Sequence, residues 1–319
     1  RCFMELPFSL PAHSRVLVTG AGGGFDVFCA LPVALQLKEN GHEVHLGNYS
    51  FTNLEAVRGA LTAKENLYGI TSDSTLAKGD YFPELQLSRW WERNFAEKKT
   101  IWCYSRIGVR PLSQIFQHLQ TTLNLDAIVV LDGGIDGLFK GNEFDLATPS
   151  MDAISIIAAS TLTNCTKIYA FTAFGTEGAE SNVRHADALL RISELTANDA
   201  FFGVTALTKR STIGRQFIEA VDNAHNHLPA SQNSVIASSI IESLKGKFGN
   251  CRLNAKTQVT PVWISALTSL YWFFDLDAVA KAKPYRNEVL ETDNVTDISD
   301  AIDKTRARLG VLPRADIPI

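Results

Sequence analysis

Arg15-Val16-Leu17-Val18-Thr19-Gly20-Ala21-Gly22-Gly23-Gly24-Phe25-Asp26 passes from a β-branched apolar run into a glycine cluster and then into a helical pattern. A strand feeding a glycine turn that opens a helix is the starting unit of a doubly wound α/β sheet. The glycines let backbone approach a ligand, and the helix N-terminus attracts an anion. Gly20, Gly22, Gly23 and Gly24 are therefore candidate ligand-binding positions. A dinucleotide fingerprint would need a third glycine at position 25, where Phe25 stands, and an acid at the end of the second strand, where Gly47-Asn48-Tyr49 stands. NAD is expected to bind poorly or not at all, and Asn48 becomes a candidate ligand contact. Asp26 would set a negative charge beside any phosphate docked on that helix end. Either a cation sits between them, or Asp26 is the helix N-cap.

Outward from this unit, β-branched runs at 43–46, 101–104, 127–131 and 167–171 alternate with helical patterns at 27–40, 83–98, 111–123, 149–162 and 182–198. Alternation over roughly two hundred residues predicts a Rossmann-like, mostly parallel sheet with strand order 3-2-1-4-5. After residue 202 the pattern turns helical, at 208–227 and 231–244, followed by an apolar stretch 259–274 and a charged helix 297–309. We read 1–205 as the α/β core and 206–319 as a helical C-terminal extension packed on it, with a soft boundary. Residues 52–81 are the least regular part.

The first turn has an echo. After the fourth strand comes Asp132-Gly133-Gly134-Ile135-Asp136, again two glycines, an apolar residue and an aspartate. In the predicted order, strands one and four are neighbours and the crevice opens where the winding reverses between them. Asp26, Asp132 and Asp136 would then converge. Carboxylates at close range are unfavourable unless protonated, paired or holding a cation, so these residues are candidate catalytic and metal-ligating groups, with Mg²⁺ or Mn²⁺ as the expected class of ion. The alternative is that they cap turns. Gly133, Gly134, and Gly175 and Glu177 after the fifth strand complete the candidate ligand set. More acids follow at Glu143, Asp145, Asp152 and Glu180.

These turns, with the Thr148-Pro149-Ser150-Met151-Asp152 helix start and the later Gly175-Thr176-Glu177-Gly178-Ala179-Glu180 turn, resemble the uncharacterised family called domain of unknown function 1152. That family's turns read closer to Gly-Gly-Gly-Gly-Asp and Asp-x-Gly-Gly-Asp; here Phe25 and Ile135 precede each aspartate. The resemblance implies a Rossmann-like fold and no assigned activity.

With 30 Lys and Arg against 34 Asp and Glu, net charge −4 and no basic run, the 319-residue chain is not expected to bind nucleic acid. No stretch is apolar enough to span a bilayer. Cys2, Cys29, Cys103, Cys165 and Cys251 are odd in number and widely spaced, as expected of reduced thiols in a cytoplasmic protein. The opening on Arg1 fits a trimmed N-terminus. His225 and His227 are about 200° apart on a helix, so they cannot share a metal. Trp90 and Trp91 read as core or oligomer contacts, the latter leaving open a homo-oligomer. Lys209, Arg210 and Arg215 read as a solvated helix face. No Gly-x-Ser-x-Gly and no Walker lysine occurs. The expected partner is a small phosphorylated or nucleotide-like metabolite, hydrolysed or transferred at the acidic, glycine-rich crevice. The alternative is a sensor that binds it there without turnover.

Overall fold

The computed structural model describes residues 4–176, 183–258, 260–315 and 317. The strands are β1 (Arg15–Gly20), β2 (Glu43–Tyr49), β3 (Leu61–Lys64), β4 (Leu67–Ile70), β5 (Ile101–Tyr104), β6 (Ala127–Asp132), β7 (Thr166–Phe171), β8 (Phe201–Ala206), β9 (Gly249–Cys251), β10 (Val262–Ile264) and β11 (Leu270–Asp275). The helices are α1 (Asp26–Glu39), α2 (Pro83–Phe95), α3 (Val109–Leu123), α4 (Pro149–Ser160), α5 (His185–Ala197), α6 (Thr212–His227), α7 (Val235–Leu244), α8 (Leu276–Lys281), α9 (Arg286–Val289) and α10 (Val295–Leu309).

Among the described residues one nine-stranded sheet runs β3-β4-β5-β2-β1-β6-β7-β11-β8, and β9 and β10 form a separate antiparallel pair. The five strands expected from sequence are β1, β2, β5, β6 and β7. They are parallel and lie in the order 3-2-1-4-5. The sheet is then extended antiparallel at both ends. Residues 52–81 contribute β4, paired with β5, and β3 beyond it. At the other end β11 pairs with both β7 and β8, so residues on either side of position 205 share one sheet.

Strand β1 shows why both faces are covered. Val16 and Val18 point to the side packed by α1, α2, α6 and α7, while Leu17 points to the side packed by α3, α4, α5, α8 and α10. A strand buried on both faces reads as a continuous apolar run, which is what parallel sheets require. Trp90 and Trp91 are fully buried in the first of these layers, so both indoles belong to the core; Trp90 Nε1 donates to Glu219 Oε1 of α6 at 3.2 Å. No described helix is long and apolar enough to cross a membrane. Cys29 and Cys103 are buried and Cys165 and Cys251 half-buried, all as free thiols; Cys2 lies outside the described residues.

The C-terminal ends of β1 and β6 lie side by side, with Gly20 opposite Leu131 and Ala21 N donating to Leu131 O at 2.8 Å. The winding reverses here, and the loops that leave these two strands meet where doubly wound sheets open their ligand crevice.

Candidate active site at the ends of strands β1 and β6

The loop from Gly20 to Phe25 is shaped by backbone constraints. Gly23 and Gly24 hold left-handed φ values of +102° and +60°, accessible to glycine at little cost. A Cβ on Gly20 would lie 2.3 Å from Asn48 Oδ1 and 2.8 Å from Val27 N. Phe25, in the place of the fingerprint's third glycine, is 6% exposed and packs its ring against Phe28 at 4.8 Å and His225 at 5.2 Å. It is the N-cap residue of α1 and makes no side-chain cap bond. Asn48 is wholly buried beneath the loop, where its Nδ2 donates to Gly24 O at 2.8 Å and to Glu84 Oε1 at 2.9 Å. Glu84 is also fully buried, and burial pushes its carboxyl pKa up. In this position Asn48 holds the loop's backbone.

Asp26 is the first residue of α1, not its N-cap. Its carboxylate turns back onto the loop: Gly22 N donates to Oδ2 at 2.7 Å, and the Gly133 and Gly23 amides favour its charged form. At least one amide that could cradle a phosphate, that of Gly22, is thus directed at an anion of the chain itself. Asp132 ends β6; its Oδ2 accepts from Gly137 N at 2.9 Å and Tyr169 OH at 3.1 Å. Asp136 is buried beside it, but its Oδ2 accepts from Thr148 N at 2.9 Å, tying the turn to the start of α4.

The third member of the cluster is Asp152, in the first turn of α4. One carboxylate oxygen from each of Asp26, Asp132 and Asp152 lies within 4.8 Å of the other two. Glycines permit the approach: a Cβ on Gly22 would stand 2.4 Å from Asp152 Oδ1, and one on Gly133 2.7 Å from Asp26 Oδ1.

Burial and mutual repulsion set the charge state. Burial, then the neighbouring Asp136, raises the Asp26 carboxyl to about 7, despite three amides that lower it. Burial and Asp26 raise Asp132 to about 7; burial and Asp132 raise Asp136 to about 8. Lys283 is 2% exposed and donates from Nζ to Gly137 O at 2.7 Å and Phe139 O at 3.0 Å. Burial pulls its ammonium down to about 8, against the field of Glu143, Asp152, Asp136 and Asp132. The Cys29 thiol, one turn along α1, is pushed well up by burial and by Asp26 and Asp132, so it is no thiolate nucleophile.

The structure therefore brings together Asp26, Asp132, Gly20, Gly22, Gly23, Gly24 and Gly133, with Gly134 buried in the same turn. Gly175 has a φ of +88° and sits against His185, where a Cβ would be 2.2 Å from Nε2. Glu177 lies outside the described residues. Sequence reasoning named Asp152 only as one of several further acids and missed Lys283, Glu84 and Tyr169. The usable signal was Pro149 at the start of α4, which places Asp152 in the turn that faces the crevice. Glu143, which could have been solvated, is fully buried and bonded to Arg191 Nε at 2.6 Å. His225 accepts from Ser234 N at 3.1 Å, a structural role.

Asp26→Asn tests how far the loop depends on this carboxylate. Asparagine keeps one acceptor but turns an NH₂ toward donor amides, so we expect a loss of about 1–3 kcal/mol in urea unfolding together with loss of any cation response. A cost in stability with the cation response intact would reduce Asp26 to a brace for the loop.

No curated protein matches the chain. The glycine turn, the aspartate turn and the α4 start all fall within residues 17–311, which match the model of a family described as "Protein of unknown function (DUF1152)", and the chain belongs to that family.

Proposed function

We propose that the crevice is a divalent-cation site of the Mg²⁺ or Mn²⁺ class, formed by Asp26, Asp132 and Asp152, at which a small phosphorylated or nucleotide-like metabolite is hydrolysed or transferred. The observation that carries this reading is the convergence of three carboxylate oxygens within 4.8 Å at the reversal of the sheet's winding. Oxygen-only donors suit a hard cation, and burial and mutual repulsion, which raise the carboxyl pKa values, oppose full charge there without one. A bound cation would neutralise charge on a phosphoryl group. The chain's own part is to fix the donors: Gly137 N and Tyr169 OH hold Asp132, and Gly22 N holds Asp26. Asp136, with its carboxyl raised to about 8, retains a proton at neutral pH and can act as an acid toward a leaving group.

Thermal unfolding across a series of Mg²⁺ and Mn²⁺ concentrations tests the reading, because a ligand bound only by the folded state raises the midpoint with concentration. We expect a saturable rise with both ions and none with Na⁺ at equal ionic strength. Incubation with phosphate esters and nucleotides then separates enzyme from sensor: turnover releases phosphate, whereas a sensor shows saturable binding with no product.

A further inference from the structure

A glycine-rich loop at the end of β1 is the place where a crevice of this kind would hold a ligand's anion. Here part of the loop already faces an anion of the chain itself, since Gly22 N donates to Asp26 Oδ2 at 2.7 Å. A phosphorylated ligand drawn to the carboxylates by a cation would therefore gain from a positive side chain elsewhere on the rim. Lys283 cannot supply it, being buried with its ammonium on two carbonyls.

The opposite wall of the loop carries a better-placed group. Phe51, just beyond β2, lays its ring across Gly23 and Gly24; a Cβ on Gly23 would lie 2.9 Å from Cε1, and one on Gly24 3.2 Å from Cε2. The ring is nevertheless 42% exposed. Arg106, just beyond β5, is exposed and holds its guanidinium carbon 5.7 Å from the centroid of that ring. Among the described residues Arg106 forms no ion pair. Strands β2 and β5 are adjacent and parallel, with Tyr49 opposite Tyr104, and Ser50 N donates to Tyr104 O at 2.9 Å, so Phe51 and Arg106 leave the sheet together at the end that faces the crevice. Asp152 touches Gly22 and Phe51 touches Gly23. Contacts through Phe51, Gly23 and Gly22 thus link the Arg106 guanidinium to Asp152 along one loop.

We infer that Arg106, seated on Phe51, is the anion-binding arm of the crevice, taking a phosphate group of a phosphorylated metabolite that also meets the cation. This rests on the cation-site reading above. A planar guanidinium stacked on an aromatic ring keeps its edge donors free for bidentate contact with phosphate, and stacking reduces the side-chain freedom lost on binding.

The test is isothermal titration of the parent protein, Arg106→Ala and Arg106→Lys, first with Mn²⁺ alone and then with tripolyphosphate in excess Mg²⁺. We expect Mn²⁺ affinity to be equal in all three proteins, tripolyphosphate affinity to fall about tenfold or more in Arg106→Ala, and Arg106→Lys to recover only part of the loss. Thermal midpoints should move little, because Arg106 is exposed and its guanidinium lies over the half-exposed Phe51 ring. Equal tripolyphosphate affinity in Arg106→Ala and parent, with Mn²⁺ still bound, overturns the arm and leaves the cation site standing. If Mn²⁺ does not bind, the cation reading fails on its own; tripolyphosphate binding that still weakens in Arg106→Ala would then support the arm, and binding that is absent or unchanged would overturn it.

Discussion

Asp132→Asn is expected to abolish the response to divalent cations, with Mn²⁺ affinity falling at least about 100-fold, because loss of even an outer partner of a metal ligand costs about 10–100-fold. Asp132 has the least substitutable place in the cluster. It sits at the end of β6 with one oxygen fixed by Gly137 N and Tyr169 OH, and the amide oxygen of asparagine can keep those bonds while the charge is lost. The cation-free variant should be at least as stable as the parent at pH 8, since a neutral amide relieves repulsion with Asp26 and Asp136. Titration calorimetry and thermal unfolding read the two halves separately. A variant that is less stable than the parent and still binds Mn²⁺ with parental affinity would make Asp132 a structural acid.

The second large effect is on pH. Asp26 and Asp132, with pKa values raised from 3.8 to about 7, and Asp136, raised to about 8, bind protons more tightly in the folded chain than in the unfolded one. Their contribution to stability is present below 3.8 and is lost as pH rises through 7 to 8. His42, His45, His185 and His225 have lowered values, so they push the other way, but only below their ordinary value of 6.5. Lys283, lowered to about 8, also opposes the aspartates as pH approaches and passes 8. Between pH 6.5 and about 7.5 the aspartates dominate, and the midpoint of the cation-free protein should fall. Cation binding must displace the protons on its own ligands, Asp26 and Asp132. Mg²⁺ affinity should therefore rise with pH across this window, by up to about tenfold per unit for each proton displaced, and the stabilisation by Mg²⁺ should be larger at pH 8 than at 6.5. A flat midpoint with pH, and a Mg²⁺ response independent of pH, would mean that the carboxyls are ionised and balanced without a cation.

The centre of the fold was legible because parallel strands buried on both faces leave a plain mark. Runs such as Ala127-Ile128-Val129-Val130-Leu131, separated by helical patterns, identify β1, β2, β5, β6 and β7, and the winding rules then order them. The antiparallel edges carry no comparable mark. β8, with its alternating half-buried and exposed residues and Gly203 at a φ of +134°, is short and interrupted. β11 lies in an apolar stretch whose periodicity cannot separate strand from helix. β3 and β4 are four residues each. The candidate site was half legible: Asp26 and Asp132 follow from the repeated turn, because each stands at a strand end that topology makes adjacent. Asp152 enters through the geometry of α4, a helix whose start is readable but whose facing side depends on how it packs. The occupation of the loop amides by Asp26 was not readable, since the same glycines serve a phosphate or a carboxylate equally well.

The most direct measurement of a cation among Asp26, Asp132 and Asp152 is an anomalous difference map from crystals soaked in Mn²⁺ at pH 8. The expected result is one strong peak bounded by oxygens of these three residues at about 2.0–2.6 Å, the range for hard cations with oxygen donors, with that peak absent from Asp132→Asn. No peak in the crevice of the parent protein, or a peak that persists unchanged in Asp132→Asn, would contradict it.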